Sequence, residues 1–306
     1  MSIKVENLSK VYGKKKALDG LTFTLEEGKF YGLLGKNGAG KTTFMKTLNG
    51  QILPSSGNIY INGKNIQDKN CDLGQIFYIG DDDIFLPKRK VKEYLSYLKL
   101  TKKEFDERKA REYFELFGLH DKMKFGKMST GENTLLKVSI ALSMNVPILV
   151  FDEPVLGLDP NHRELFYKCL LDVYMERQPT ILLATHIMEE ISQLVEEIVI
   201  IDQGKVLCQD SVEDLRQKGF SISGTKEKVE LYVKGASHIQ VLKREELGEY
   251  SIYYCFGEKK DRLKFLLERG VLKKDDVEFQ PLPLQKLFIV LTNHEKEMPH
   301  GTYKIS

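Results

Sequence analysis

The sequence predicts an α/β protein built on a parallel sheet, with a smaller α+β module at its C-terminal end. Three observations carry that prediction. Short, continuously apolar runs at Phe30–Leu34, 148–151 and 180–184 have the length and composition of strands buried on both faces. Segments with helical spacing alternate with them, as a sheet covered on both sides requires. A glycine-rich run from Gly35 to Thr43 joins the first of these strands to a helix start.

The elements follow in order. Residues 3–8 and 21–25 alternate apolar and polar side chains, the pattern of half-buried strands. Phe30–Leu34 is apolar throughout, and a helix follows over Lys41–Leu48. Residues 58–61 form a strand that enters a hairpin turn at Asn62-Gly63. Another strand covers 75–79. Val91, Tyr94, Leu95 and Leu98, then Phe105, Ala110, Phe114 and Phe117, keep helical spacing across 91–117. Ser129 opens a helix that runs to about Met144. Strand 148–151, helix 161–175, strand 180–184, helix 187–194 and strand 198–201 complete the alternation. From Gly219 the pattern changes: 229–233 and 251–256 read as strands, 260–268 and 284–291 as helices. No catalytic motif occurs there. The expected division is a domain over 1–218 and an accessory module over 219–306.

Composition narrows the function classes. The 306 residues suffice for one large domain and a smaller one, and 42% apolar content supports a packed core. A formal net charge of +2 gives no general reason to expect nucleic-acid binding. Cys71, Cys169, Cys208 and Cys255 show no Cys-x-x-Cys spacing, so reduced, buried thiols in a cytoplasmic protein are expected. The first residues lack the apolar core of a signal peptide, and no apolar run approaches the roughly 18 residues of a membrane span.

The chemistry begins at the glycine-rich run. Gly35-x4-Gly40-Lys41-Thr42 matches the phosphate-binding loop pattern, set between a buried strand and a helix. Gly35, Gly38 and Gly40 let the backbone turn and approach an anion. The N–H groups of Lys36, Asn37, Ala39 and Thr43, with the helix N-terminus, then cradle phosphate. Lys41 reaches the β- and γ-oxygens, and the Thr42 hydroxyl is a natural Mg²⁺ ligand. The strand at 148–151 ends in Asp152 and Glu153. A carboxylate at the end of a neighbouring strand can hold Mg²⁺, the role expected of Asp152. Glu153 is then placed to orient or deprotonate an attacking water. Ser129-x-x-Glu132 is a capping box, whose exposed N–H groups attract phosphate. A purely structural cap would have the same spelling.

Together these residues resemble the ATP-binding cassette family of transporter ATPases over about residues 3–215. Met128-Ser129-Thr130-Gly131-Glu132 lies 23 residues ahead of Asp152, in the place of that family's signature. Gly157-Leu158-Asp159 looks like its D-loop, Thr185-His186 like its switch histidine, and Tyr12 like its adenine-stacking aromatic. The resemblance implies a parallel-sheet core, an N-terminal antiparallel β subdomain and a helical subdomain at about 81–145. It implies ATP and Mg²⁺ as cofactors, with Lys41, Glu153 and His186 catalytic. It further implies a head-to-tail dimer, homo- or heteromeric, in which Ser129, Thr130, Gly131, Glu132 and Asp159 complete the partner's nucleotide site. A separate membrane permease is the implied partner, at the cytoplasmic face. The unadorned cassette with a short C-terminal module is most similar to exporter subunits of bacterial drug and peptide systems.

Two departures bear on turnover. Thr130 puts a β-branched side chain where close approach to phosphate is expected. Asp81 stands where the family has a glutamine; its carboxylate can ligate Mg²⁺ but donates no hydrogen bond. Residues 88–127 hold 13 Lys and Arg against 7 Asp and Glu, either a solvated helical face or one lying against anionic headgroups. The competing functions are a soluble cassette ATPase acting on ribosomes or DNA and a non-enzymatic module that senses ATP. The single phosphate loop and the lack of sustained heptads over 44–128 disfavour the first. Glu153 and His186 argue against the second.

Overall fold

The structure, a computed structural model, describes residues 2–80, 88–234, 238–257, 266–270, 272–273 and 275–293. The chain divides into two compact units, residues 1–186 with 194–209 and residues 187–193 with 210–306.

The first unit opens with a long hairpin, β1 (Ile3–Tyr12) and β2 (Lys15–Leu25), followed by β3 (Phe30–Leu34) and helix α1 (Lys41–Leu48). β4 (Ser56–Ile61) and the short β5 (Lys64–Asn65) return to the hairpin, giving an antiparallel sheet of order β2-β1-β4-β5. β6 (Ile76–Ile79) leads into three helices, α2 (Val91–Thr101), α3 (Glu107–Leu116) and α4 (Thr130–Leu142). After them come β7 (Ile148–Asp152), α5 (Pro160–Arg177), β8 (Thr180–Thr185), β9 (Glu197–Asp202) and β10 (Lys205–Ser211), while the single turn α6 (Met188–Ile191) between β8 and β9 belongs to the second unit. The main sheet has the order β10-β9-β3-β8-β7-β6, with β9, β3, β8, β7 and β6 parallel. Gln203 and Gly204, both at positive φ, make the tight turn that sends the chain back as the edge strand β10.

The apolar runs explain this arrangement. Every residue of β3, β7 and β8 is buried, as the continuous hydrophobicity requires of central parallel strands. α1 buries Phe44, Met45 and Leu48 in the same cluster as Ile3, Val5 and Leu8 of β1 and Leu33 of β3. Phe44 meets Phe23 edge-to-face at 5.1 Å between ring centroids. Each such side chain stabilises the fold by about 1.5–3 kcal/mol. The core therefore clamps α1, and with it the loop that precedes α1, between the two sheets.

The second unit contains α7 (Val212–Lys218), β11 (Gly219–Thr225), α8 (Lys226–Val233), β12 (Ile239–Leu247), β13 (Tyr250–Gly257), β14 (Val277–Pro281) and α9 (Leu284–Asn293). Its antiparallel sheet has the order β12-β13-β11-β14, so β13 is inserted between β11 and β12 in a split β-α-β arrangement. Phe220, Ile222, Val229, Tyr232, Tyr253 and Cys255 form its core.

Several expectations are corrected. Residues 229–233 are helical, not a strand: the run is short and β-branched, but its buried members Val229 and Tyr232 stand three apart, on one helical face. The helical spacing of 91–117 belongs to two helices, because Asp106 caps a new start by accepting from the N–H groups of Arg108 and Lys109. The helix expected at 187–194 is only α6. The two compact units meet in the chain at 209/210, with α7 packing on β11 and β13. Residues 187–193 join the same unit, where the Met188 N–H donates to Gln285 Oε1 at 3.2 Å. Asp81 lies outside the described residues. Among the described residues no helix is long and apolar enough to cross a membrane. All four cysteines are free; Cys169 and Cys255 are buried and Cys71 and Cys208 half-buried. Burial pushes the Cys255 thiol up to about 12.

Candidate active site

A cavity of about 250 Å³ opens at the C-terminal ends of the parallel strands, lined by Lys15, Ala17, Lys36, Asn37, Gly38, Ala39, Gly40, Lys41, Thr42, Thr43, Asp152 and Glu153. The sequence alone did not point to Lys15 or Ala17; only the pairing of β2 with β1 brings them beside the loop.

The loop itself is fixed by sterics. Gly40 sits at φ +113°, and a Cβ there would stand 2.6 Å from the carbonyl oxygen of Ala17. No other residue fits that position. The Ala39 N–H donates to the Lys36 carbonyl at 3.0 Å, closing the turn. No side chain caps α1, so its first N–H groups face the cavity, where they can donate to an anion. Lys41 is only 6% exposed; its Nζ donates to the Gly35 carbonyl at 2.5 Å and lies 3.5 Å from Glu153 Oε1. A buried ammonium needs such partners.

The carboxylates come from the end of β7. Asp152 is 6% exposed and accepts a hydrogen bond from the Tyr78 hydroxyl at 3.4 Å, across the β6–β7 pair. Glu153 departs from the strand at φ +49°, a left-handed conformation that costs a non-glycine residue about 1 kcal/mol or more. Its N–H donates to the Ala184 carbonyl at 3.0 Å, which holds the kink against β8. The kink aims the carboxylate at His186, whose Nδ1 lies 3.1 Å from Oε1 and 3.0 Å from Oε2. Residues 33 positions apart in sequence are thus brought into contact by the parallel pairing of β7 with β8.

The donor set suits Mg²⁺. Thr42 contributes a hydroxyl and Asp152 a carboxylate to one cavity, and hard oxygen ligands of this kind are what Mg²⁺ takes.

Ser129, Thr130, Gly131 and Glu132 do not line this cavity. They form the N-terminus of α4, where Ser129 Oγ accepts from the Glu132 N–H at 3.2 Å and Glu132 Oε2 accepts from the Ser129 N–H at 2.7 Å. The predicted capping box is present. The methyl of Thr130 lies 3.2 Å from the position a Cβ would take on Gly157, and Thr134 Oγ1 donates to the Leu156 carbonyl at 3.0 Å. The α4 start therefore packs on the loop that descends from Glu153. Asp159 caps α5, accepting from the His162 N–H at 3.0 Å, and its contact with the His162 ring holds its carboxyl below the ordinary carboxylate range. Lys137 Nζ of α4 donates to the Gly80 carbonyl at 3.0 Å, anchoring the end of β6. Tyr12 closes β1, is 47% exposed, and carries the Lys10 ammonium 5.2 Å from its ring centroid.

The sequence profile of the ABC transporter family matches residues 18–156. The energy-coupling factor transporter ATP-binding protein EcfA2 of Acetivibrio thermocellus is 32% identical over 222 residues, covering 67% of this chain and 78% of the relative. The bacitracin transport ATP-binding protein BcrA of Bacillus licheniformis is 31% identical over 283 residues, covering 88% of this chain and 90% of the relative. A solved structure described as the ATP binding subunit of an ABC transporter superposes with a TM-score of 0.64 at 26% identity, covering 71% of this chain and 92% of that one.

Proposed function

The chain belongs to the ATP-binding proteins of the ABC transporter family and is an ATPase of that fold; from this premise we propose that it is the motor of an exporter. In this reading it works as a nucleotide-sandwich dimer at the cytoplasmic face, beneath a separate membrane permease. The observation that carries the catalytic part is the contact of Glu153 with both His186 and Lys41, at the wall of the phosphate-loop cavity.

The residues divide the work as follows. The N–H groups of residues 36–43 and the Lys41 ammonium bind the phosphates of ATP. Thr42 and Asp152 would hold Mg²⁺, which neutralises phosphate charge when bound, and Tyr78 orients the Asp152 carboxylate. Glu153 orients the attacking water and accepts its proton, with His186 fixing the carboxylate in place. The exposed start of α4 at Ser129–Glu132 supplies N–H donors to the nucleotide held by the other protomer, and Asp159 lies at the same interface.

The reading draws on the similarity to BcrA, a bacitracin transport ATP-binding protein, which spans 88% of this chain. An importer motor is the second reading, because a tungstate uptake system ATP-binding protein is 33% identical over 67% of this chain. Purifying the chain from solubilised membranes with its permease, then assaying ATP-driven transport in vesicles of known orientation, separates the two. Export supports the proposal, uptake replaces it with the second reading, and copurification with ribosomes or DNA instead of a permease would overturn both.

A further inference from the structure

The charge in the wall of the cavity is almost balanced from within. Lys36 and Lys41 face Asp152 and Glu153, two cations against two carboxylates. Lys41 is already engaged with the Gly35 carbonyl and sits 3.5 Å from Glu153. Bound nucleotides carry several negative charges at neutral pH, so these four groups give no net attraction by charge alone. Lys15 is the fifth charged residue of the wall and gives it a net positive charge.

Lys15 is also held ready for a ligand. Its neighbour Lys16 pairs with Asp19 at 3.1 Å, and Lys10 donates to the Leu53 carbonyl at 2.6 Å, but the Lys15 ammonium has no hydrogen-bond or ion-pair partner among the described residues. Its backbone is fixed at the first residue of β2, directly opposite Tyr12 in the β1–β2 register. Directly opposed residues project to the same face of a sheet. Tyr12 and Lys15 therefore stand side by side on one face of the β1–β2 hairpin, an aromatic surface beside the unneutralised cation that reaches the cavity wall. That pairing suits the junction of a base with a phosphate chain.

We propose that Lys15 is a nucleotide-binding residue, supplying the cation for the outer part of the polyphosphate that the phosphate loop leaves uncovered. The assignment rests on the reading of this cavity as the ATP site. Lys15 acts on binding and not on the chemical step, because the water-activating carboxylate belongs to Glu153 at the inner end. It reads phosphate charge and is indifferent to the base.

The test compares full-length wild type, Lys15→Met and Lys15→Arg by calorimetry with ADP and with adenosine, and by steady-state hydrolysis of ATP with Mg²⁺. Lys15→Met should weaken ADP about tenfold, leave adenosine unchanged, and raise KM for ATP with kcat preserved. Its ADP affinity should also fall less steeply with salt than that of wild type. Lys15→Arg should stay close to wild type. An ADP affinity unchanged in Lys15→Met overturns the assignment while leaving the site intact. Equal losses for ADP and adenosine also overturn it, since they indicate a distorted wall. If wild type binds no ADP, the reading of the cavity as a nucleotide site fails, and the assignment with it.

Discussion

The Glu153 carboxylate lies 3.0 Å from His186 Nδ1, and the backbone of Glu153 is left-handed at φ +49°. The two facts have one cause. A strand that continued regularly past Asp152 would send the next side chain across the sheet; the kink turns it instead toward the end of β8, where His186 stands. Strain at a non-glycine residue persists only where surroundings hold it, and here the bond from the Glu153 N–H to the Ala184 carbonyl does so.

His186 is a positioning residue in this account, because it reaches the reaction through Glu153. His186→Ala should lower kcat about a hundredfold while ATP affinity stays within a few-fold of wild type. Steady-state kinetics set beside nucleotide binding of the same variant checks this, and a loss confined to binding would show that His186 serves the nucleotide instead.

Lys41 contacts phosphate in the ground state as well as during reaction, so Lys41→Ala should lose affinity and turnover together. Removing it also leaves the Gly35 carbonyl and the Glu153 carboxylate without their cation. Melting temperatures measured alongside calorimetry separate that structural cost from lost binding. Unchanged ATP affinity would count against the phosphate-loop role.

Thr130 has a neighbour within its own chain as well as its place in the signature. The sequence led to an expectation of crowding against the partner's phosphate; the structure shows its methyl packed beside Gly157 of the same chain. If that contact steadies the loop running on from Glu153, Thr130→Val should keep turnover and Thr130→Gly should lower it several-fold. Glycine at the first helical position also loosens the helix start, by less than about 0.5 kcal/mol relative to threonine. A faster Thr130→Gly enzyme would restore the crowding explanation, and equal losses in both variants would assign the work to the hydroxyl.

Much of this site was legible in the sequence because its chemistry is tied to local spelling. Gly40, Lys41 and Thr42 act through consecutive backbone positions, and Ser129 with Glu132 closes a cap across one turn. Asp152 and Glu153 end a run too apolar to be anything but a buried strand. Lys15 and Tyr78 were not legible, since only strand pairing brings them to the cavity. The second unit was harder for the same reason. β12 reads Ile-Gln-Val-Leu-Lys-Arg-Glu-Glu-Leu, with a register shift between Val241 and Lys243 that breaks strict alternation. α8 carries β-branched residues that favour a strand until packing on β11 and β13 decides otherwise.

The central claim is that Glu153 activates water for hydrolysis while the phosphate loop binds ATP without it. The most direct measurement is ATP turnover and ATP-dependent dimerisation of Glu153→Gln, followed by phosphate release and sedimentation with Mg²⁺ present. The amide keeps the size of the side chain and removes its charge and basicity. The account predicts that ATP still binds, that turnover falls by at least about a hundredfold, and that an ATP-bound dimer accumulates. Hydrolysis at the wild-type rate would contradict it.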